Sequence, residues 1–394
     1  MKKKSLIFIT MEIPYPCNSG GRKYTWERII ELKRQGYDIV LFSLKESDEK
    51  IYKQEYDKYI KKSYFYDRKN KLKSVIKNIN LPFSVATRTN IEMKKDIENF
   101  IKNNKVDAII LDTVLMGNNI VSTNIPYILT QHNIEYKTFK SMGKTCKNIL
   151  KKIIFYREYL LTKKFEKRYY KNKLFKGITF ISEEDKEFFE KEFGKIASYE
   201  LIPIGVEKKE INYIDESKGK IVFTGKMDYQ PNVDAVVYFV NNIFKKLKRK
   251  IPIAKFYIVG KSPTKKVIDL ENVNGVRVTG QVKSIENYIK DANIVVIPLL
   301  SGGGVKIKLF EALQYKRLVI STQKGVEGTS FKDEKHILVA DNNDKFISLC
   351  IDAIENYSAY RGIPEEGNKY MIDNYSWEKI GAKYKVFIDE ICNL

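Results

Sequence analysis

Residues that build metal and redox sites are scarce in this sequence. It contains only two histidines, His132 and His336, and its four cysteines follow neither zinc-binding nor disulfide spacing: Cys17, Cys146, Cys350 and Cys392. A zinc site is therefore excluded, because zinc needs a cluster of Cys and His ligands at short spacing. Unpaired, scattered cysteines fit the reducing cytoplasm, where we place the protein.

Long hydrophobic runs are also missing. No stretch approaches the roughly 20 apolar residues that a membrane-spanning helix needs. The lysines at positions 2–4 precede only a short apolar run, residues 6–9, which Glu12 and two prolines soon interrupt. We therefore interpret this segment as a first strand and not as a signal peptide.

The length and the apolar content predict a two-domain globular protein. A chain of 394 residues is too long for one ordinary core, and an apolar share of 43% is ample for burial. The formal net charge of +22 predicts an anionic partner, such as nucleic acid, an acidic membrane face or a phosphorylated ligand.

Much of this charge lies between residues 137 and 176, where fourteen Lys or Arg stand against Glu158 and Glu166, a net charge of +12. Apolar and aromatic residues recur among these lysines at helical spacing. This pattern is typical of a helix that lies on an anionic membrane surface, and equally of an ordinary domain helix with solvated lysines. Nucleic-acid binding is a third reading, but no known binding signature accompanies the charge.

The first half of the chain follows a strand–loop–helix–strand pattern. Strands are predicted at 5–10, 38–44, 107–111, 126–130, 177–182 and 201–206, with helices near 23–34 and 183–193. Gly20 and Gly21 fall in the loop after the first strand, where a parallel sheet binds its ligands, although a purely structural turn is equally compatible. His132 follows a later strand and could contact a ligand or transfer a proton. A structural histidine is the alternative.

Strands and helices alternate more clearly in the second half. The polar segment 207–219 predicts a linker between a domain at 1–206 and a second at 220–370. Apolar strands are predicted at 220–225, 254–260, 276–280, 294–300, 318–322 and 336–340, with a helix near 233–248. Short apolar strands separated by helices predict the α/β class, with two doubly wound parallel sheets that face each other across a cleft.

The stretch VVIPLLSGGGVKIKLFEAL, residues 295–313, combines a buried strand, a glycine turn and a helix start. Glycines allow a ligand to approach the backbone, and a helix N-terminus offers unpaired N–H groups to an anion. Lys306 and Lys308 add positive charge, and Glu311 could accept hydrogen bonds from ribose hydroxyls. The alternative is a flexible turn with solvated lysines.

Together, the segments VFTGKMDYQPNVDAVVYF, FYIVG, VRVTGQV, IPLLSGGGVKIKLFEAL, VISTQKGVEG and NYSW resemble the carboxyl-terminal domain of bacterial family 4 retaining glycosyltransferases, which have the GT-B fold. The first half is similar in PYPCNSGG and TQHNIEY but diverges more. The resemblance covers essentially the whole chain. It implies two Rossmann-like domains, the first on the acceptor side and the second for the nucleotide sugar. It also implies a terminal helix, 371–394, that crosses back to the first domain.

The resemblance also implies roles for individual residues. His132 would lie near the transferred sugar, Lys226 would meet the diphosphate, and Glu311 would contact ribose. Donor binding would further involve the backbone around Thr279 and Val282, near the base, and the residues Gly20, Gly21, Gly225, Gly302, Gly303, Gly304, Lys306 and Lys308.

Two positions depart from the family pattern. Gly303 stands where the family has a glutamate that contacts the sugar, and Asn232 stands where many relatives have a phosphate-binding lysine. Lys306 and Lys308 would compensate for that missing lysine. The chain contains no Asp-x-Asp sequence, so no metal is expected at the phosphates and no cofactor beyond the donor substrate.

The implied activity is transfer of a sugar from a nucleoside-diphosphate donor to a hydroxyl of a glycan or lipid-linked acceptor, with retention at the anomeric carbon. Polysaccharide synthesis for the cell envelope would take place at the inner membrane face, which the basic segment could contact. Two alternatives remain, a non-hydrolysing nucleotide-sugar epimerase of the same fold and a non-catalytic nucleotide-sugar-binding scaffold. Nucleic acid is not the expected partner.

Overall fold

The structure, a computed structural model, describes residues 3–69, 74, 78–146, 148–171, 174–208 and 219–393. Two compact units divide the chain: Met1–Gly205 with Trp377–Leu394, and Val206–Ser376. Most of the predicted linker, 207–219, lies outside the described residues. The chain leaves the second unit after Ser376, so the predicted terminal segment 371–394 includes the last residues of that unit.

The first unit is built on a parallel sheet whose strands are ordered β3-β2-β1-β4-β5-β6-β7. Its inner strands are apolar and fully buried, as expected where helices cover both faces of a sheet. The strands are β1 (Ser5–Thr10), β2 (Asp38–Lys45), β3 (Lys62–Asp67), β4 (Ala108–Leu111), β5 (Tyr127–Gln131), β6 (Phe175–Phe180) and β7 (Ser198–Leu201).

Helices connect these strands, and several begin with a side-chain cap. Ser19, Asn90 and Ser182 each accept a hydrogen bond from a backbone N–H of the first turn, which stabilises the helix start. The helices are α1 (Gly20–Arg34), α2 (Lys53–Asp57), α3 (Phe83–Ala86), α4 (Ile91–Asn103), α5 (Glu135–Thr145), α6 (Ile149–Lys171) and α7 (Glu183–Phe193), with a 3-10 turn at Val114–Asn119.

The second unit has a parallel sheet of order β10-β9-β8-β11-β12-β13. Its strands are β8 (Lys220–Thr224), β9 (Lys255–Val259), β10 (Val276–Gly280), β11 (Ile294–Ile297), β12 (Leu318–Ser321) and β13 (Leu338–Val339). The helices are α8 (Gln230–Phe239), α9 (Lys245–Lys250), α10 (Lys265–Ile268), α11 (Ile285–Lys290), α12 (Ile307–Gln314), α13 (Gln323–Val326), α14 (Asn343–Glu355), α15 (Tyr357–Tyr360) and α16 (Gly362–Tyr375), with a π-helical turn at Val240–Phe244 and a 3-10 turn at Asp269–Asn272.

The last helix, α17 (Trp377–Cys392), belongs to the first unit and packs against α1. Its Asp389 accepts hydrogen bonds from the Tyr37 hydroxyl at 2.8 Å and from Lys4 at 2.9 Å. Trp377 covers Gly205 so closely that a Cβ at that glycine would lie 2.3 Å from the indole ring. The first unit is thus completed by the two ends of the chain.

The predicted strand at 201–206 is wrong, because the strand Ser198–Leu201 ends where it should begin. Ile202, Ile204 and Val206 are nevertheless buried. These residues lie outside the regular strands, although Val206 forms an isolated bridge with Ser376. The Ile202 carbonyl accepts a hydrogen bond from the Tyr24 hydroxyl at 3.0 Å. Burial of alternate apolar residues therefore gave this segment the pattern of a strand.

The predicted α/β class with two doubly wound parallel sheets is confirmed. Within the described ranges, no helix is both long and apolar enough to cross a bilayer.

Candidate active site

Each sheet reverses its strand order at one place, and the candidate residues gather there. In the first unit β1 pairs with β4, and in the second unit β8 pairs with β11, so the chain runs outward in opposite directions from each pair. Ligands of doubly wound sheets bind at the carboxyl ends of the strands beside such a switch point. A ligand is therefore expected at the loops after β1, β4, β8 and β11.

In the second unit, the loop after β8 is held in a conformation that only glycine accepts. Gly225 has φ +153°, and a Cβ there would lie 2.7 Å from the Asn232 side-chain nitrogen and 3.1 Å from Lys308 Nζ. A Cβ at Gly260, in the loop after β9, would lie 1.8 Å from the Gly225 carbonyl oxygen. The two backbones therefore cross at the end of the sheet with no room for side chains.

Lys308 reaches this loop from the first turn of α12. Its Nζ donates to Asn232 Oδ1 at 3.0 Å, and Asn232 Nδ2 donates to the Lys226 carbonyl at 2.9 Å. Lys308 Nζ also lies 3.8 Å from the centre of the Phe223 ring. Lys308 is therefore in direct contact with Asn232, the residue whose difference from the expected lysine it was predicted to offset.

The surroundings of Lys308 lower the pKa of its ammonium group to about 7. Loss of water is the main cause; Glu311, one turn further along α12, opposes it, and Lys306 adds to it. A bound anion would reverse this effect, because a nearby negative charge favours the protonated form. The site is therefore suited to receive an anion.

The glycine loop after β11 is braced by Lys306. Gly302 and Gly304 have φ +106° and +68°, in the left-handed region, whereas Gly303 does not have positive φ. The ammonium of Lys306, which is buried, donates to the Gly303 carbonyl at 3.3 Å and to the Gly304 carbonyl. Lys306 thus stabilises the shape of the loop, and Lys308 provides the charge at the switch point.

The remaining candidates of the second unit lie around this cluster. Lys226 is about half exposed and pairs with Asp228 at 3.2 Å. Glu311 lies on α12, one turn after Lys308. Thr279 and Val282 lie at the end of the edge strand β10, two strands away from β8, and the Thr279 hydroxyl donates to the Gly280 carbonyl at 3.0 Å. The structure therefore brings Gly225, Asn232 and Lys308 into contact and leaves Thr279 further along the sheet edge.

In the first unit, Gly20 and Gly21 are helical residues, not loop residues as predicted. They form the first turn of α1 behind the Ser19 cap, both exposed and without positive φ. The Ser19 hydroxyl accepts a hydrogen bond from the Arg22 backbone N–H and so caps the helix start, where the sequence predicted a glycine loop. The exposed helix start still lies beyond the carboxyl end of β1.

His132 lies in a buried charge network that the sequence did not reveal. Its Nε2 is 3.1 Å from Asp112 Oδ1, and Asp112 also accepts from the Thr25 hydroxyl at 3.0 Å and from Arg28 at 3.4 Å. Arg28, only 1% exposed, also donates to the Tyr384 hydroxyl at 3.4 Å. Asp112 therefore fixes His132 by the Nε2 side of its ring.

The pKa of Asp112 is lowered. Burial acts to raise it, but His132, Arg28 and the Thr25 hydroxyl together outweigh that effect. Asp112 could have been proposed as a site residue from the sequence, because it directly follows the predicted strand 107–111. His132 likewise follows the predicted strand 126–130. Only the strand order β1-β4-β5 shows that these two ends are adjacent.

Comparison with known proteins supports the resemblance. Residues 218–356 match the family described as Glycosyl transferases group 1. A relative from Klebsiella pneumoniae, described as an uncharacterized 44.6 kDa protein in cps region, is 25% identical over 391 residues, which is 95% of this chain and 97% of the relative.

Two solved structures share the fold over nearly the whole chain. Sucrose-phosphate synthase from Thermosynechococcus elongatus superposes with a TM-score of 0.70 at 13% identity, covering 99% of each chain. A mutant of S. aureus TarM, in complex with fondaparinux, α-GlcNAc-glycerol and UDP, superposes with a TM-score of 0.71 at 13% identity, covering 98% of this chain and 99% of that one. The predicted resemblance is thereby confirmed for the fold and for one segment: the chain has the fold of the GT-B glycosyltransferases, and its residues 218–356 match the family described as Glycosyl transferases group 1.

Proposed function

We propose that this protein is a retaining glycosyltransferase that moves a hexosyl group from a nucleoside-diphosphate sugar to a hydroxyl of a glycan or lipid-linked acceptor, without a metal ion. The observation that carries the proposal is the cluster of Gly225, Asn232 and Lys308 at the switch point of the second sheet. In this cluster a glycine backbone that a ligand could approach closely lies beside a lysine. Both belong to the segment that matches the glycosyltransferase family.

The donor diphosphate would lie over the loops after β8 and β11. Lys308 and Lys226 would face its oxygens, and the N-terminus of α12 would add the positive end of its dipole. Glu311 would bind ribose, and the backbone from Thr279 to Val282 would meet the base. UDP is the first nucleotide to test, because the related TarM structure contains it.

In the reaction, the bond between the anomeric carbon and the diphosphate oxygen breaks, and both electrons leave with the diphosphate. A bond from the acceptor oxygen to the anomeric carbon forms on the same face, and the acceptor proton passes to the departing phosphate oxygen. Lys226 and Lys308 would stabilise the charge that develops on the diphosphate, where a fixed positive group has its largest effect on rate.

His132 would act on the sugar side of the reaction. Because Asp112 lies at Nε2, the histidine would contact a ligand through the Nδ1 side of its ring. Asp112 would then be a positioning residue, which orients the histidine without touching the substrate. Gly20 and Gly21, at the exposed start of α1, would border the acceptor.

Support for this acceptor class comes from the relative that is described as a protein in a cps region. We infer that the protein extends a polysaccharide or a lipid-linked precursor at the inner face of the cell membrane.

Nucleotide binding gives the first test. Thermal-shift assays with UDP, GDP, ADP and CMP should single out one nucleotide, whose saturation at about 100 times Kd adds about 2.7 kcal/mol of stability. At the same nucleotide concentration the variant K308M should show a shift reduced to about half or less, whereas K246M, which alters an exposed lysine of α9, should keep the full shift. No shift with any nucleotide, or an equal shift in K308M, would contradict the donor site.

Transfer gives the second test. With the matching sugar nucleotide and a lipid-linked acceptor pool, we expect a product of retained configuration and activity that persists in excess EDTA. Conversion of the donor without acceptor would identify an epimerase instead. Binding without any turnover would identify a scaffold.

A further inference from the structure

We propose that the tip of the α5–α6 hairpin docks on an anionic lipid bilayer. The two helices pack against each other, with the rings of Tyr136 and Tyr159 6.2 Å apart and Lys140 Nζ 5.8 Å from the centre of the Tyr159 ring. A Cβ at Gly143 would lie 3.6 Å from the Phe155 side chain. α5 ends at Thr145 and α6 begins at Ile149, so the first two turns of α6 belong to the tip of the hairpin.

An exposed apolar stripe runs along α6. Positions 149, 153, 156 and 160 recur at intervals of four, three and four residues, which places them on one face of a helix, and two neighbours extend that face. A core helix would bury such a face, yet these six side chains are between 48% and 73% exposed: Ile149, Leu150, Ile153, Ile154, Tyr156 and Leu160.

The opposite face of α6 explains what holds the helix to the protein. Glu158, Thr162, Phe165, Glu166 and Tyr170 are buried there. Phe155 and Tyr159, which the sequence grouped with the other apolar residues of the segment, are partly buried and belong to this inner side. The apolar residues of the segment therefore serve two purposes, and only the stripe remains open to a partner.

The charge around the stripe identifies the kind of partner. Residues 137–157 contain seven Lys or Arg and no Asp or Glu. At about 100° per residue, Lys152 and Lys163 flank one side of the stripe and Lys151 the other, whereas Lys164 falls within the angular range of the stripe. Exposed lysines of α5, Lys140 and Lys144, add to the same hairpin. Lysine stems can lie along apolar surface while their ammonium groups reach lipid phosphates.

These two properties together favour a bilayer over other occupants. A second copy of this chain would bring its own seven positive charges against the stripe. Nucleic acid would satisfy the charge but would leave aliphatic side chains uncovered. An anionic membrane interface covers both, because its acyl region takes up the stripe and its head groups pair with the lysines. Docking there would hold the enzyme where lipid-linked acceptors are found, although the contact does not depend on the proposed reaction.

Vesicle flotation of the full-length protein tests the proposal. We expect binding to phosphatidylcholine vesicles that contain phosphatidylglycerol, and little binding to phosphatidylcholine alone. The variant I153S/I154S should bind the anionic vesicles at least about tenfold more weakly, since two aliphatic side chains no longer insert. Its control is I91S/I268S, which removes two isoleucines that are 62% and 48% exposed on other helices.

The charge contribution is tested in parallel. K151Q/K152Q should weaken vesicle binding by about 30-fold, because each lysine near an anionic surface contributes about fivefold to the affinity. It should also make the binding less dependent on salt. The control K245Q/K246Q changes two lysines of α9. Nucleotide thermal shifts should be equal in all four variants, which shows that each is folded.

Three results would overturn the proposal. One is the absence of vesicle binding by the unmodified protein. Another is equal binding by I153S/I154S and its control, which would reduce the effect to general charge attraction. The third is a dimer in light scattering that I153S/I154S abolishes, which would assign the stripe to a second copy.

Discussion

At the switch point of the first sheet, the buried charges of Arg28 and Asp112 lie 3.4 Å apart and offset each other. At the switch point of the second sheet, Lys308 donates instead to the uncharged amide of Asn232. In the first arrangement the two buried charges are paired without a ligand, and Asp112 also orients His132. The second has a lysine whose pKa is lowered to about 7 and which an anion would stabilise in its charged form. The same topology thus produces a rigid positioning network in one unit and an anion-binding site in the other.

The largest effect is expected when the complete network is broken. D112N removes the negative charge and leaves Arg28 buried, so the free energy of unfolding of the first unit should fall by about 3–5 kcal/mol. Both tryptophans, Trp26 and Trp377, belong to the first unit, so urea unfolding followed by tryptophan fluorescence reports on it alone.

The double variant R28M/D112N is the control for this prediction, because it removes both charges. It should recover a large part of the lost stability. If D112N costs less than about 1 kcal/mol, the network does not hold the unit together and the contrast between the two sheets fails.

The next effect concerns the chemistry that the network supports. H132Q should lower kcat at least about 100-fold while leaving the Kd of the nucleotide unchanged, because the histidine acts beside the sugar and not on the diphosphate. Glutamine can still donate to Asp112, so urea unfolding should be close to that of the original protein. Wild-type kcat in H132Q, or a matching loss of nucleotide affinity, would remove His132 from the reaction.

The sequence predicts features that depend on neighbouring residues, but not contacts between residues that are far apart along the chain. Gly225, Lys308 and the glycine loop were predictable, because each belongs to a short strand–loop–helix pattern. Asp112 was missed because its partner His132 is adjacent only through the order of β1, β4 and β5.

Arg28 was missed for a related reason. On the sequence it is one of several basic residues in a helix, and only the position of α17 shows that it is buried beneath Tyr384. The strand at 201–206 was wrong because apolar residues buried against neighbouring helices have the same composition as a short strand. Long-range packing, and not local propensity, accounts for all three errors.

Nucleotide binding at the second sheet should depend on pH through Lys308. The pKa of Lys308 is about 7 in the free protein and should rise when a diphosphate binds, so binding takes up a proton. Nucleotide affinity should therefore be highest below pH 7 and fall by up to about tenfold per pH unit as pH rises from about 7.5 to about 9.

K308R tests the cause, since arginine keeps its charge throughout this range. Calorimetric titration should show a nearly flat affinity for K308R and a sloping one for the original protein. Below pH 7, K308M should bind about 10- to 100-fold more weakly than the original protein, corresponding to the loss of one charged hydrogen bond of about 1.5–3 kcal/mol, and this difference should shrink as the pH rises toward 9. An equal slope in K308R would assign the titration to another group.

The smallest effect is expected at Gly303, where the resemblance predicts a glutamate. Its neighbours Gly302 and Gly304 have left-handed φ and would be strained by any side chain, but Gly303 does not have positive φ. G303E should therefore leave the Kd of the nucleotide unchanged. It should shift the KM of the sugar nucleotide by no more than about tenfold, the value of one added hydrogen bond to the sugar. G303A separates the carboxylate from the loss of glycine and should change neither constant. If G303E weakened the binding of nucleotide and of sugar nucleotide equally, the loop would depend on glycine at all three positions. The glycine at 303 would then be required by the backbone that Lys306 braces, and it would not be a feature of sugar recognition.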